Sequence, residues 1–136
     1  MELKKKILLV EDDKALASVY SSRLEMEGFD VQAVYDGELA LKEAIDFRPD
    51  LILLDAMMPK INGFDTLDIL KNTPETINIK VIMLTALNQA KDKERAKSLG
   101  ADDYLVKSQV VINDVVDRIH YHLSIDDNNP LPNQSQ

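Results

Sequence analysis

The side chains best able to do chemistry in this 136-residue chain follow directly after short apolar runs. Glu11-Asp12-Asp13 follows Ile7-Leu8-Leu9-Val10, and Asp55 follows Leu51-Ile52-Leu53-Leu54. Thr85 follows Val81-Ile82-Met83-Leu84, and Lys107 follows Tyr104-Leu105-Val106. Crowded carboxylates repel and raise one another's pKa, a conflict that a hard divalent cation removes. Magnesium suits such a set, because it prefers oxygen ligands, keeps several waters and is commonly held by one or two carboxylates plus a phosphate. A hydroxyl and an ammonium beside them complete the outline of a phosphoryl-transfer site. Asp55 can then act as a nucleophile, its carboxylate attacking phosphorus to give an aspartyl phosphate. The metal and Lys107 would neutralise non-bridging oxygens while Thr85 donates to one of them. Taken singly, each acid also reads as a solvated loop residue or a helix cap, and Asp13, where the first helix begins, reads as the cap.

Bringing these residues together requires the apolar runs to be strands of one sheet. Ile7–Val10, Val31–Val34, Leu51–Leu54, Val81–Leu84 and the shorter Tyr104–Val106 lack polar alternation, as strands covered on both faces do. Between them the period is helical. Leu16, Val19, Tyr20 and Leu24 form a stripe stopped by Gly28; Leu41, Ala44 and Ile45 form another that ends before Pro49. Ala96 and Leu99 lead into Gly100, and Ile112, Val115, Val116, Ile119 and Leu123 follow i, i+3, i+4, i+7 and i+11. Strand–helix alternation with short connections predicts an α/β domain with right-handed crossovers and a parallel sheet. Ligands of such sheets bind beyond the carboxyl ends of the strands, where the acids, the hydroxyl and the ammonium all fall.

Bulk composition narrows the classes. The length fits one domain with a real core, and 45% apolar and 29% charged residues are ordinary for a compact protein. Without cysteine there is no disulfide framework, thiol catalysis or thiolate-bound metal. A net charge of −8 argues against direct nucleic-acid contact, and Lys4-Lys5-Lys6 reads as a solvated strand entrance. Ile7–Val10 is too short for a signal-peptide core or a membrane span, so the expected location is cytoplasmic.

Four segments stand in order and at the spacing of one family. They are Leu9-Val10-Glu11-Asp12; Leu54-Asp55-Ala56-Met57-Met58-Pro59 with Asn62-Gly63; Met83-Leu84-Thr85-Ala86; and Gly100-Ala101-Asp102-Asp103-Tyr104-Leu105-Val106-Lys107. Over residues 4–123 the chain resembles the receiver domain of two-component response regulators. The resemblance implies a doubly wound, flavodoxin-like fold: a five-stranded parallel sheet of order 2-1-3-4-5 with helices on both faces. That order sets strands 1 and 3 side by side where strand order reverses, so Glu11, Asp12 and Asp55 converge on one crevice. It implies that Asp55 is the phosphoacceptor for a phospho-histidine donor, either a sensor histidine kinase or a histidine phosphotransfer protein. Glu11 (through water), Asp12, Asp55 and the backbone carbonyl of Met57 would hold Mg2+, and Lys107 would contact the phosphoryl group. Thr85 and Tyr104 would be the coupled switch pair. They would remodel the face of the fourth helix, fifth strand and fifth helix, which a downstream protein target or effector domain reads. A phosphorylation-dependent dimer through that face would use Asp102, Asp103 and Arg118. The chain would catalyse only its own phosphorylation and dephosphorylation, with a receiver over 1–124 and a flexible tail or linker stump over 125–136. No effector domain follows in the sequence, so a stand-alone and an excised receiver both fit.

Departures from the family pattern carry expectations of their own. Ser108 stands where a proline usually follows the site lysine. Met57 and Leu87, two residues after Asp55 and Thr85, replace frequent polar side chains and predict slow self-dephosphorylation. Among structural readings, Tyr104 also reads as plain core, and Met57 and Met58 as packing, since thioethers are poor magnesium ligands. His120 and His122 fall on different helix faces and share no metal. Gly63 supplies a permissive backbone before Phe64. A degenerate receiver acting as a constitutive protein-binding module is opposed by the intact Glu11, Asp12, Asp55, Thr85 and Lys107. An aspartyl phosphatase is opposed by the position of Asp55 after the third strand with Met57 two residues on. A flavin site is opposed by the lack of a Ser/Thr/Gly-rich cradle.

Overall fold

The computed structural model describes residues 3–125. Strands β1 (Lys6–Val10), β2 (Asp30–Val34), β3 (Leu51–Leu54), β4 (Lys80–Thr85) and β5 (Asp103–Val106) alternate with helices. The helices are α1 (Lys14–Met26), α2 (Gly37–Asp46), α3 (Gly63–Lys71), α4 (Ala90–Ser98) and α5 (Ile112–Ser124). The sheet is wholly parallel with order β2-β1-β3-β4-β5, as the resemblance implies.

The apolar runs are continuous because both faces of the sheet are covered, and successive side chains feed opposite layers. Ile7, Leu9, Leu51, Leu53, Ile82, Leu84 and Leu105 pack with Ala17, Tyr20 and Leu24 of α1 and with Val115, Val116 and Ile119 of α5. The alternate residues Leu8, Val10, Ile52, Leu54, Val81 and Met83 pack with Ala40 and Ala44 of α2, Phe64, Leu67 and Leu70 of α3 and Ala96 of α4. All four residues of β3 are fully buried, so truncating any to alanine costs about 2–5 kcal/mol.

Two helix stripes are shifted from the expected ones. Val19 is 58% exposed and Ile45 46% exposed, while Ala17 and Ala40 are buried in the layers on either face of the sheet. The α5 stripe is as expected, with Val115, Val116 and Ile119 buried and His122 joining them. α3, whose stripe of Phe64, Leu67 and Leu70 is not among those read above, starts at Asn62, whose side chain accepts from the Asp65 amide at 2.9 Å. Gly28 and Gly100 stop α1 and α4 at φ +98 and +103, which only glycine adopts freely. Gly63 is required for a different reason than expected. A Cβ there would lie 2.1 Å from the backbone oxygen of Asp55, so the position demands close approach rather than a special φ. Among the described residues no helix is long and apolar enough to cross a membrane. Of the expected tail, only Ile125 falls within the described residues.

Candidate functional site

Every residue singled out at a strand end reaches the same edge, because all five strands run parallel. Register pairs Val10 with Leu54, so β1 and β3 end level and Glu11 and Asp55 emerge side by side. The Asp55 amide donates to the Val10 carbonyl at 3.1 Å, which locks that alignment. Glu11, Asp12 and Asp55 each present a carboxylate oxygen within 4.8 Å of the others. Asp13 caps α1 by accepting from the Leu16 amide at 3.1 Å, and is not part of this cluster.

Lys107, the first residue after β5, reaches across β4 to the two inner acids. Its Nζ donates to Glu11 Oε1 at 2.5 Å and to Asp55 Oδ2 at 2.8 Å. The other carboxylate oxygens are held by backbone: the Met57 amide donates to Asp55 Oδ1 and the Asp13 amide to Glu11 Oε2, each at 3.0 Å. Asp55 is therefore oriented at both oxygens before any donor arrives. Burial alone would lower the Lys107 pKa, but hydrogen bonds to Asp55 and Glu11 outweigh it and hold the ammonium above its ordinary value. Burial pushes the Glu11 carboxyl up, and the neighbouring Asp55 charge adds to this; Lys107 and the Asp13 amide only partly offset it. One ammonium is thus shared by two inner carboxylates, with Asp12 exposed beside them. That excess of hard oxygen donors fits a divalent cation of the magnesium kind.

Thr85, the last residue of β4, is fully buried beside Asp55's strand, and its Oγ1 accepts weakly from the Leu87 amide at 3.4 Å. Tyr104 is half-buried, and its hydroxyl donates to the Leu87 carbonyl at 2.9 Å. Its hydroxyl therefore ties the β4–α4 loop, unlike a plain core tyrosine. Burial, with the charges of Asp92 and Asp55, pushes the phenol up to about 12. Thr85 and Tyr104 thus meet through one residue, Leu87, a link that sequence spacing did not reveal. Met57 is 57% exposed at the site mouth, while Met58 packs against the α2–α4 layer. Ser108 lies in a single 3-10 turn, Lys107–Gln109, and no described peptide bond is cis.

A second charged cluster, not evident from strand-end spacing, centres on Asp103 beside Tyr104. Asp103 Oδ2 accepts from Arg118 Nη1 at 2.5 Å and lies 2.9 Å from His122 Nε2. Burial would raise the Asp103 pKa, but His122, Arg118 and the Tyr104 amide hold it at about 2. Asp102 accepts from the Val81 amide at 2.8 Å and pairs with Lys71 at 3.5 Å. The acids expected to serve a dimer are therefore engaged within the chain. The inward position of His122 was legible, since it lies three residues after Ile119 on the α5 stripe. His120 is exposed and stacks on Phe29, so the two histidines face apart as expected.

Comparison with known proteins agrees with this geometry. Residues 7–120 match the response regulator receiver domain family. Transcriptional regulatory protein CpxR of Escherichia coli (strain K12) is 53% identical over 102 residues, which is 75% of this chain and 42% of that protein. The DNA-binding dual master transcriptional regulator RpaA of Synechocystis is 45% identical over 102 residues, again 75% of this chain and 42% of that protein. The chain thus spans about two-fifths of the length of these curated relatives. Among solved structures, the Francisella response regulator 1452 receiver domain superposes with TM-score 0.82 at 32% identity, covering 88% of this chain and 97% of that one. The receiver domain of sensor histidine kinase PA1611 from Pseudomonas aeruginosa, solved with a magnesium ion coordinated in its active site cleft, has TM-score 0.82 at 27% identity, covering 90% and 100%. With its sheet order, its carboxylate cluster and a family match covering most of its length, this chain belongs to the response regulator receiver domain family.

Proposed function

We propose that the chain accepts a phosphoryl group from a phospho-histidine donor onto Asp55, with Mg2+ held by Glu11 (through water), Asp12, Asp55 and the Met57 carbonyl. The observation that carries this reading is the grip on Asp55: Lys107 holds one oxygen at 2.8 Å and the Met57 amide the other at 3.0 Å, inside a three-carboxylate cluster. An Asp55 oxygen attacks phosphorus, the P–O bond forms as the P–N bond to the donor imidazole breaks, and that imidazole leaves with the P–N electron pair and takes up a proton. Lys107 neutralises a non-bridging oxygen, and Thr85 donates its hydroxyl to another. Bound Mg2+ supplies Lewis-acid neutralisation of the phosphoryl oxygens. Catalysis here is positioning and electrostatics, as phosphoryl transfer generally requires.

The switch follows from the shared loop residue. Engaging Thr85 with the phosphoryl group pulls on the Leu87 amide that it now accepts from, and so on the carbonyl that holds Tyr104. Each such hydrogen bond contributes about 1 kcal/mol, small enough for one modification to exchange the two arrangements. The α4–β5–α5 face is then what a downstream protein or effector domain reads, in a receiver spanning 1–124. A sensor histidine kinase or phosphotransfer protein in the cytoplasm is the donor in this reading. The test is intact-protein mass after incubation with Mg2+ and a small-molecule phosphodonor. A gain of one phosphoryl group that Asp55→Ala abolishes is expected; no gain, or a gain that survives in Asp55→Ala, refutes the assignment.

A further inference from the structure

The chain has no cysteine, so methionine thioethers are the only sulfur that a two-electron oxidant can reach. Among the described methionines, Met83 is fully buried in β4 and Met58 packs against the α2–α4 layer. Met26 is 83% exposed and Met57 57% exposed. Met26 ends α1, at the pole of the sheet remote from the acids. Met57 stands at the mouth of the carboxylate cluster. Its amide nitrogen lies 3.0 Å from Asp55 Oδ1, which puts its Cα within about 4.5 Å of that oxygen. Asp55 and Ala56 are 5% and 3% exposed, so Met57 is the first residue past the carboxylate that opens to solvent.

We propose that Met57 is an oxidation site through which peroxide shortens the life of the phosphoryl group on Asp55. The proposal rests on Asp55 being the phosphoacceptor. The sulfur lone pair attacks one oxygen of hydrogen peroxide, and the S–O bond forms as the O–O bond breaks. The departing hydroxide takes the proton left on that oxygen. Sulfur is oxidised by two electrons, and the peroxide is reduced to water. A flexible apolar side chain thereby becomes a polar, chiral one. A thioether is a weak acceptor, so unmodified Met57 leaves water near the phosphoryl group without an orienting partner. The sulfoxide oxygen accepts strongly and carries no net charge, so it holds a water beside the acyl phosphate without repelling the phosphoryl oxygens. One hydrogen bond gained to the attacking water is worth about fivefold in rate. Methionine sulfoxide reductases reverse the modification, so the lifetime can be reset.

The test uses the full 136-residue chain carrying Met26→Leu, treated with dilute hydrogen peroxide and then freed of it. Peptide mass spectrometry locates the added oxygen. Asp55 is loaded with a small-molecule phosphodonor and Mg2+, and loss of the phosphoryl group is followed by intact mass after the donor is removed. Met57 should gain oxygen ahead of Met58 and Met83, and the loss should quicken about fivefold with the circular dichroism melt unchanged. Methionine sulfoxide reductases A and B should restore the slow rate, and Met57→Leu in the same background should keep its rate through peroxide treatment. The proposal is overturned if Met57 oxidises no faster than Met83, or if peroxide quickens the loss equally in Met57→Leu. A chain that never loads refutes the Asp55 assignment and this proposal with it. One that loads, and loses its phosphoryl group at the same rate before and after Met57 is oxidised, refutes this proposal alone.

Discussion

Replacing Lys107 with methionine isolates what one ammonium does for two buried acids. In the folded protein its Nζ sits 2.5 Å from Glu11 and 2.8 Å from Asp55, whose residues are 4% and 5% exposed. Breaking a fully buried pair from one side costs about 3–5 kcal/mol, because a charge is left unpaired. The site opens to solvent at Asp12, and Glu11 can relieve itself by taking a proton, so about 2 kcal/mol is the expected loss without metal. In a domain of this size that lowers Tm by about 6–10 °C. The deficit should shrink as pH falls through the raised Glu11 pKa, since the protonated acid no longer needs the ammonium. Removing Lys107 also removes a cation that competes with Mg2+ for the same oxygens. Tenfold tighter Mg2+ binding, a modest estimate for charges this close, adds about 1.4 kcal/mol of stabilisation at saturating metal. Thermal and urea unfolding by circular dichroism, with and without millimolar Mg2+, measures both effects. This role for Lys107 is ruled out if Lys107→Met melts with the unaltered protein in the absence of metal, or if Mg2+ stabilises the variant no more than the parent.

Three further outcomes are expected. Loss of phosphate from Asp55 should be slow, because Met57 and Leu87 offer no polar group to orient water; Met57→Asn with Leu87→Glu should hasten it by about a hundredfold, the low end of general acid–base effects, in phosphate-release kinetics. A seconds-scale loss in the unaltered protein would contradict this. Asp103, held at about 2 against an ordinary 3.8, contributes stability that is present above 3.8 and lost as pH falls toward 2. Asp103→Asn should therefore cost about 1–2 kcal/mol at neutral pH, discounted for the half-exposed Arg118, with the difference closing in acid when urea midpoints are followed against pH. Gly63→Ala should destabilise by about 3 kcal/mol or more, since the new methyl meets the Asp55 backbone oxygen; an unchanged urea midpoint would rule out that close approach.

Much of this molecule is written in its sequence, for a physical reason. Strands buried on both faces must be apolar throughout, so Leu51–Leu54 and Val81–Leu84 declare themselves, and parallel strands end together, so Glu11, Asp55, Thr85 and Lys107 were bound to share an edge. The order of strands came from family likeness, since periodicity says which residues are buried but not which strands are neighbours. Helix faces were legible only in part: Val19 and Ile45 fit the period yet lie outside, while Ala17 and Ala40 are buried. What tertiary structure alone decided is who meets whom across the sheet. Lys107 lies 96 residues from Glu11 along the chain yet bonds it, Tyr104 and Thr85 meet through Leu87, and Asp103 gathers Arg118 and His122 from α5. Sequence sets the chemistry each strand end can offer; packing of helices on the sheet fixes distances of a few ångströms, and charge pairing depends on those distances.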